Sequence, residues 1–422
     1  MGQERILFEN AFKTVNLYLK FSGITFDYNI DSRNLWQNII HRWFFIYNFQ
    51  SMSSDASSVF GAIASLTVQE MCFMIPCIGF CLMADFKAYY FVRHHHYVIQ
   101  LMNTLRKLQV KRDADEDIET EFKKKRLPFL RVTNKVLLFC GLMIVAAFFI
   151  EPTFIMVSSY LDTGRVQLAL PFHVWYPFDP YYNFVVWLLV FIHQFWAAWI
   201  TVWFVYGPDC FYFTYCAFLH LQFQSLKRDM ENIAELLKTK DKISQNKEVI
   251  SLIHRHTEII KCVEMLGIIY GKSTLCNVLS SCLIICVAGF NMMIIDDLLI
   301  MAPFTPFFSF GSLQIFLFCY YGDLLMQDVS FSLYNAKWYD LNASSMKHST
   351  LRPNGIFCVY PYLNVSYSLK KWSINAVIPL RGRNLYSSAL GYAFPRRLIR
   401  FAAKTLHSHS MCSIVSLGRI LT

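Results

Sequence analysis

Charged residues are scarce in this sequence. Asp, Glu, Lys and Arg make up 16% of the 422 residues, whereas about 25% is usual for soluble globular domains. Hydrophobic residues make up 55% and aromatic residues 17% of the chain. Several apolar runs reach the ~18 residues that identify a candidate membrane-spanning helix. The composition therefore excludes an ordinary soluble enzyme and predicts an all-α, polytopic helical membrane protein.

Motifs for catalysis and for metal binding are also missing. No Ser-His-Asp, Cys-His or H-E-x-x-H arrangement stands in a plausible context, so we expect no enzyme activity, no catalytic residue, no cofactor and no nucleic-acid partner. The run GIIYGKS at 267–273 resembles a P-loop, but it is one residue short between the glycines and no strand precedes it. The consecutive residues His94 to His96 would point about 100° apart on a helix, so we expect no metal site there.

Six apolar segments are long enough to be membrane spans, and a seventh is not recognisable. Backbone groups must be hydrogen-bonded internally within lipid, so each span is expected to be a helix. The first span has uncertain bounds because a polar QSMSSDASS run interrupts it. The six predicted spans are 43–64, 69–91, 136–158, 183–205, 273–295 and 304–326.

Basic residues are nearly absent from alternate connections. The connection 159–182 holds only Arg165, and 296–303 holds no Lys or Arg, whereas the connections after the second and fourth spans are rich in both. By the positive-inside rule, the basic connections and the N-terminus are cytoplasmic. "Outer" and "inner" below follow this orientation. Heptad-like apolar spacing within 206–265 predicts a helical segment that projects into the cell, on which subunits could pack.

The outer halves of the predicted spans carry aromatic and sulfur-containing side chains with few polar groups. A cavity between such helices would suit a small, volatile, mostly apolar ligand, held by dispersion and a few polar contacts. The alternative, that these side chains face lipid or neighbouring helices, stays open for each of them. The candidate ligand-binding residues are Met71, Phe73, Phe148, Phe149, Tyr160, Trp187 and Phe191.

Three stretches resemble the insect odorant receptors. They are the connector LPFHVWYPFD at 170–179, the segment 254–290 around the fifth span, and FCYYGDLLMQDVSFSLYNAKWYDL at 318–341. In the last stretch, a Cys-x-x-Gly-acidic run leads to Ala-x-Trp-Tyr. The likeness covers roughly 15–350, so residues 1–350 are interpreted as one odorant-receptor-like transmembrane domain.

This resemblance implies a seven-span architecture with a cytoplasmic N-terminus. It also implies a ligand-gated, nonselective cation channel that binds small volatile odorants. The expected assembly is a hetero-oligomer, a tetramer with a shared co-receptor, in the cell membrane of olfactory sensory neuron dendrites. Gustatory-type receptors are the related alternative, although their Thr-Tyr…Gln-Phe signature is not found.

Two other classes of membrane protein compete with this interpretation. A seven-helix receptor that signals through G proteins would have the opposite orientation, and this sequence lacks an Asp-Arg-Tyr motif. A secondary transporter would be expected to show inverted repeats and paired charges in mid-membrane. Glu151, beside Pro152 in the third span, is the one candidate for such a charge. Both alternatives are therefore disfavoured.

Acidic residues are absent from 351–422, which contains ten Lys and Arg residues. This tail therefore accounts for the whole net charge of +10. Its longest apolar stretch, GIFCVYPYLNV at 355–365, is about half a span and contains Pro361. We expect an aberrant reading frame, a retained intron or a divergent splice form, which would make the chain a non-conducting isoform. A genuine basic tail that binds anionic membrane lipid is the alternative.

Overall fold

The described part of the chain is built from long α-helices. A computed structural model describes residues 3–24, 68–110, 120–239, 242–294 and 301–334, apart from positions 22, 173–175, 177 and 302. No β-strand occurs in these residues, which confirms the predicted all-α class. A π-helical turn, Phe122–Arg126, precedes the fourth helix. The helices are α1 (Gln3–Phe21), α2 (Val68–Arg93), α3 (His95–Val110), α4 (Leu127–Thr163), α5 (Phe184–Thr239), α6 (Lys242–Ile294) and α7 (Phe304–Tyr334).

Predicted spans two to six each overlap one of these helices, which extend beyond the predicted bounds at one end or both. Within the described residues, segments of α2, α4, α5 and α6 have the length and hydropathy of membrane spans. The sixth predicted span, 304–326, falls inside α7. The protein is therefore a helical, multi-pass membrane protein. The predicted first span, 43–64, and the tail, 351–422, lie outside the described residues.

Helices α5 and α6 are much longer than a membrane is thick. They contain 56 and 53 residues, and a rise of about 1.5 Å per residue makes each roughly 80 Å long. The hydrocarbon core of a bilayer is only ~30 Å thick. Each helix must therefore extend well beyond the membrane, and the described residues of the segment 206–265, predicted to be cytoplasmic, fall within these two helices. The P-loop-like run 267–273 is helical, as expected for a false motif.

The N-terminal helix packs on the inner half of α5. Phe8 of α1 meets Phe218 of α5 edge to face, with ring centroids 5.4 Å apart. The Arg106 guanidinium of α3 donates to the Glu9 carboxylate of α1, with Nε–Oε1 and Nη2–Oε2 distances of 2.5 and 2.9 Å. Helix α1 thus lies on the same side as the basic connection that contains α3. This placement agrees with the predicted orientation, in which the N-terminus shares a side with the basic connections.

Glycines allow the membrane helices to approach closely. A Cβ atom at Gly141 of α4 would lie 3.1 Å from Val202 of α5, and one at Gly311 of α7 would lie 3.1 Å from Ile285 of α6. Lipid tails are as apolar as the side chains they would replace, so association within a membrane depends on close packing of this kind. These contacts join α4 to α5 and α7 to α6 around the region described next.

Candidate ligand-binding site

The outer connection between α4 and α5 begins at a glycine cap. Gly164 takes the left-handed conformation, with φ +66°, and its N–H donates to the Tyr160 carbonyl at 2.9 Å. Glycine adopts this conformation without steric cost, which ends the helix and redirects the chain. The connection then brings Phe172 against side chains of α2 and α4.

Phe172 is the centre of the contacts made by this connection. Its ring stacks on Phe148 of α4, with centroids 5.2 Å apart and planes at 29°, and lies edge to face with Phe149 at 6.1 Å. It also packs on the buried side chains Met74 and Ile78 of α2. A residue of the outer connection therefore fills the space between two membrane helices.

Helix α5 adds a second aromatic wall. Phe191 meets Phe149 at a perpendicular angle, with centroids 5.4 Å apart, and contacts Trp187 one turn earlier at 5.2 Å. The Trp187 indole Nε1 donates to the Ala169 carbonyl at 3.0 Å. This bond leaves the indole ring with its polar atom satisfied and its apolar faces available for packing.

Helices α2 and α7 close the inner side of the same region. Phe307 of α7 packs edge to face on Phe148 at 5.7 Å and on Phe80 of α2, also at 5.7 Å. Phe80 further contacts Phe310 at 5.3 Å. We define the aromatic cluster as Phe80, Phe148, Phe149, Phe172, Trp187, Phe191, Phe307 and Phe310.

A single glutamine fixes the connection to the helices. The Gln194 side chain of α5 accepts from the Phe172 amide at 3.2 Å and donates to the Phe172 carbonyl at 3.1 Å. Its amide nitrogen also lies 3.3 Å from the Tyr176 hydroxyl. Gln194 is only 1% exposed, and a buried amide without these partners would carry a desolvation penalty. Gln194 therefore holds Phe172 in place from below.

The chemistry of the region is apolar with a small polar edge. The cluster residues are all aromatic, and the Gln194 amide and the Tyr176 hydroxyl provide polar groups beside Phe172. Aromatic rings offer dispersion and edge-to-face contacts, while a hydroxyl can give or take one hydrogen bond. Such a surface suits a small apolar or aromatic molecule that carries one polar group.

The structure brings four of the seven candidate residues together. Phe148, Phe149, Trp187 and Phe191 are all in the aromatic cluster. Tyr160 lies three turns beyond Phe148 on α4, with its side chain 58% exposed. The predicted residues Met71 and Phe73 are in helix α2, but the structure does not describe their side chains.

Four other residues of the cluster, and the glutamine beneath it, were not predicted. Phe172 lies in the 170–179 connector that carries the family resemblance, yet nothing in its spacing shows that it turns inward. The role of Gln194 could have been inferred from the sequence, because an amide side chain inside the apolar run FIHQFW needs a hydrogen-bond partner when it is buried. Phe80, Phe307 and Phe310 lie in predicted spans, where spacing alone did not separate them from lipid-facing neighbours.

A buried ion pair lies inward of the cluster. The Lys87 ammonium of α2 donates to both carboxylate oxygens of Asp209 of α5, at 2.7 and 2.8 Å, and both side chains are almost fully buried. Gln314 of α7 donates to the same carboxylate at 2.6 Å. Among the described residues, no group of three His, Cys, Asp or Glu side chains is placed to hold a metal ion.

Long apolar helices packed around an aromatic cluster define a helical, multi-pass membrane protein. The chain belongs to the odorant receptor family. The family model described as 7tm Odorant receptor matches residues 67–351, more than half of the sequence. Odorant receptor 67c of Drosophila melanogaster is 25% identical over 316 residues, covering 68% of this chain and 74% of the relative. Putative odorant receptor 92a of the same species is 22% identical over 346 residues, covering 78% and 83%.

Solved structures show the same fold. The insect olfactory receptor OR5 from Machilis hrabei superposes with a TM-score of 0.62 at 13% sequence identity, covering 87% of this chain and 90% of that one. A second structure of the same receptor, in complex with eugenol, matches with equal coverage and score. The expected family and the helical membrane fold are therefore confirmed, and the family is one of olfactory receptors.

Proposed function

We propose that this chain binds small volatile organic compounds at the aromatic cluster and forms a ligand-gated, nonselective cation channel with a co-receptor. The observation that carries the ligand part is the convergence of four helices and the outer connection on one set of aromatic side chains. Family membership supports the receptor role.

The chemistry of the cluster favours ligands of a particular kind. Eugenol, bound by the Machilis receptor, combines an aromatic ring with a hydroxyl group. In this chain, Phe148, Phe149 and Phe172 would contact such a ring, and Tyr176 would hydrogen-bond its polar group. Of the predicted residues, Trp187 and Phe191 form the wall on α5. Met71, Phe73 and Tyr160 remain predictions from the sequence and are not needed for this proposal.

Channel formation rests on the family resemblance and on the extended inner helices. Helices α5 and α6 project beyond the membrane, where they offer surface for packing against other subunits. We propose a hetero-oligomer, a tetramer with a co-receptor, in the dendritic membrane of olfactory sensory neurons.

Recording of odour-evoked current tests this proposal. The full chain is expressed in cells with and without an insect odorant co-receptor, and a panel of volatile aromatic alcohols, esters and aliphatic compounds is applied. We expect cation current only in the co-expressing cells, with the strongest responses to small aromatic compounds. Surface labelling confirms that the chain reaches the membrane in both cases.

A current that is abolished by an inhibitor of G proteins would favour the competing class, a seven-helix receptor that signals through G proteins. A chain that reaches the surface with the co-receptor, binds odorants and gives no current would instead identify it as a non-conducting isoform. Equal responses after alanine replacement of Phe148 and Phe172 would show that the ligand binds elsewhere.

The tail, residues 351–422, supports the alternative that this chain is a non-conducting isoform. The family match ends at residue 351, where the acid-free, basic segment 351–422 begins. As the alternative to a conducting receptor, we propose that this segment replaces the seventh span through a frame or splice difference, which would leave the chain able to bind a ligand but not to conduct. Sequencing of transcripts across the codons for 345–355 tests this, and an intact frame without a nearby splice junction would contradict it.

A further inference from the structure

The buried ion pair belongs to a longer chain of polar side chains. Gln314 of α7 donates to Asp209 and accepts from the Ser281 hydroxyl of α6 at 3.1 Å. Lys87 of α2 donates to both Asp209 oxygens, and its ammonium lies 5.4 Å from the centroid of the Phe318 ring. Four helices, α2, α5, α6 and α7, thus share one set of hydrogen bonds inside the bundle.

Two contacts on the outer side of Lys87 fix the alignment of α2 with α6. A Cβ atom at Gly79 would lie 3.2 Å from the Ile284 side chain. The Ser281 hydroxyl lies 3.9 Å from the Met83 sulfur. As the residue number rises by four on α2, it falls by three on α6. The two helices are therefore antiparallel and in contact along this face.

A third contact lies on the inner side of Lys87. Phe91 of α2 packs against Tyr270 of α6, with ring centroids 6.2 Å apart. Lys87 lies between Met83 and Phe91 on α2, so the stretch of α6 that faces it lies between Ser281 and Tyr270. Asn277, one turn from Ser281, is the most deeply buried polar side chain of that stretch.

Asn277 has an unsatisfied side chain. It is fully buried, at 0% exposure. Within the described residues, neither its amide nitrogen nor its carbonyl oxygen has a hydrogen-bond partner. Leaving a buried amide unpaired costs about 1–3 kcal/mol, and most buried polar groups bind protein or ordered water. The carboxamide therefore requires a small ligand with both hydrogen-bond donors and acceptors.

We propose that an ordered water molecule is bound between Asn277 and Lys87. Its oxygen accepts from the third ammonium proton of Lys87, since the other two are directed to Asp209, and from the Asn277 amide nitrogen, and it donates to the Asn277 carbonyl. A buried water commonly makes about three such bonds. The adjacent Asp209 carboxylate opposes an anion at this position, and the Lys87 ammonium opposes a cation. Water is the neutral species that satisfies both groups.

This water site extends the polar chain along α6. Ser281 and Asn277 are one turn apart on α6, and both link this helix to the ion pair. Ser281 does so through Gln314, and Asn277 does so through the water. The chain lies just inward of the aromatic cluster, because Gln314 follows Phe310 by one turn of α7. The water is thus a structural ligand of the inner bundle, separate from the proposed odorant site.

Thermal melting of the purified full-length protein in lipid nanodiscs tests the proposal. Asn277→Leu keeps the number and branching of the side-chain heavy atoms but removes both hydrogen-bonding groups, so the water and the third Lys87 proton each lose a partner. We expect its melting temperature to fall by about 2 °C or more. Asn277→Ser retains a hydroxyl and leaves room for water, so a smaller fall is expected. If Asn277 binds nothing, Asn277→Leu should instead raise the melting temperature.

Testing Asn277→Leu in a chain that lacks the ion pair distinguishes loss of the bound water from a general effect on packing. In a chain with Lys87→Met and Asp209→Leu, the water has lost its cationic partner, so Asn277→Leu should no longer lower the melting temperature. An equal loss in both backgrounds would overturn the proposal. If the background chain does not fold, a cryo-electron microscopy map that resolves waters decides the matter directly. Density between Asn277 and Lys87 is expected, and a clear gap there would overturn the proposal.

Discussion

Gln194 holds Phe172 by hydrogen bonds to both the amide and the carbonyl of its backbone. This pairing places a ring from the outer connection between α2 and α4, against Phe148 and Met74. Without these two bonds, nothing in the connection itself would fix the backbone of Phe172 at this position. The position of Phe172 therefore depends on a side chain that sits in the membrane part of α5.

Replacement of Gln194 by leucine should weaken the odorant response. The change keeps the volume but leaves the Phe172 backbone groups without their partners, which costs about 1–3 kcal/mol. A loss of 1.4 kcal/mol corresponds to about a tenfold rise in the half-maximal ligand concentration. Dose–response recordings in cells that express the co-receptor measure it. The control is Ile192→Ala, two residues away and exposed, and identical curves for the two variants would contradict the assigned role.

Two phenylalanines on α4 offer a matched pair for the aromatic cluster. Phe148 is 2% exposed and contacts Phe172 and Phe307, whereas Phe139 is 63% exposed. Phe148→Ala opens a gap in the packed cluster, so we expect the odorant response to fall at least tenfold. The Phe139 side chain is exposed and lies outside the cluster, so the Phe139→Ala variant should respond to odorants like the unmodified receptor. Surface biotinylation normalises each current to the amount of receptor, and equal losses in both variants would argue against the cluster.

The packing of α1 on α5 depends on the absence of a side chain at Gly207. A Cβ atom there would lie 2.9 Å from the Leu19 side chain and 3.6 Å from its Cα atom. Gly207→Val should therefore displace α1 and destabilise the protein by about 1–3 kcal/mol. The matched control is Gly267→Val, because nothing lies within 4 Å of a Cβ atom at that position.

Melting of the detergent-solubilised protein, followed by size-exclusion chromatography, compares these two valine variants. Leu19→Ala combined with Gly207→Val should recover part of the lost stability, since it removes the clashing methyl groups. A double variant no better than Gly207→Val alone would show that this contact does not determine the loss.

The orientation predicts which segments an antibody can reach. Arg165 is the only basic residue of its connection, and the positive-inside rule makes that connection extracellular. An epitope inserted after Arg165 should be labelled on intact cells. An epitope placed before Met1 should be labelled only after permeabilisation. The reverse pattern would invert the topology and remove the basis for the outer and inner sides used here.

The sequence was sufficient to predict most of the described spans, because length and hydropathy define them without knowledge of their neighbours. It did not predict how far α5 extends. The fourth span was predicted at 183–205 and a helical segment that projects into the cell at 206–265, but nothing indicated that one helix would continue through Pro208 to Thr239. Proline removes one helical hydrogen bond, but neighbouring helices can compensate. The Tyr270 hydroxyl of α6 donates to the Pro208 carbonyl at 2.7 Å, which holds α5 against α6 at this position, although the carbonyl that loses its donor is that of Phe204.

The candidate site was only partly predictable, because a sequence indicates depth in the membrane better than direction around a helix. Phe148 and Ile150 are only two residues apart on α4, yet the first is buried and the second is exposed. Phe172 depends on how the outer connection folds, which follows from the Gln194 bonds rather than from local spacing. Lys87 and Asp209 are 122 positions apart, so their pairing becomes visible only in the folded bundle.

The most direct measurement of the central claim is the position of a bound odorant. The full chain is purified with its co-receptor in lipid nanodiscs, saturated with an activating compound, and imaged by cryo-electron microscopy beside the ligand-free complex. Ligand density should lie against Phe148, Phe149, Phe172 and Phe191, and should be absent without the compound. Density bound on a different set of helices, with the aromatic cluster unchanged between the two maps, would contradict the account.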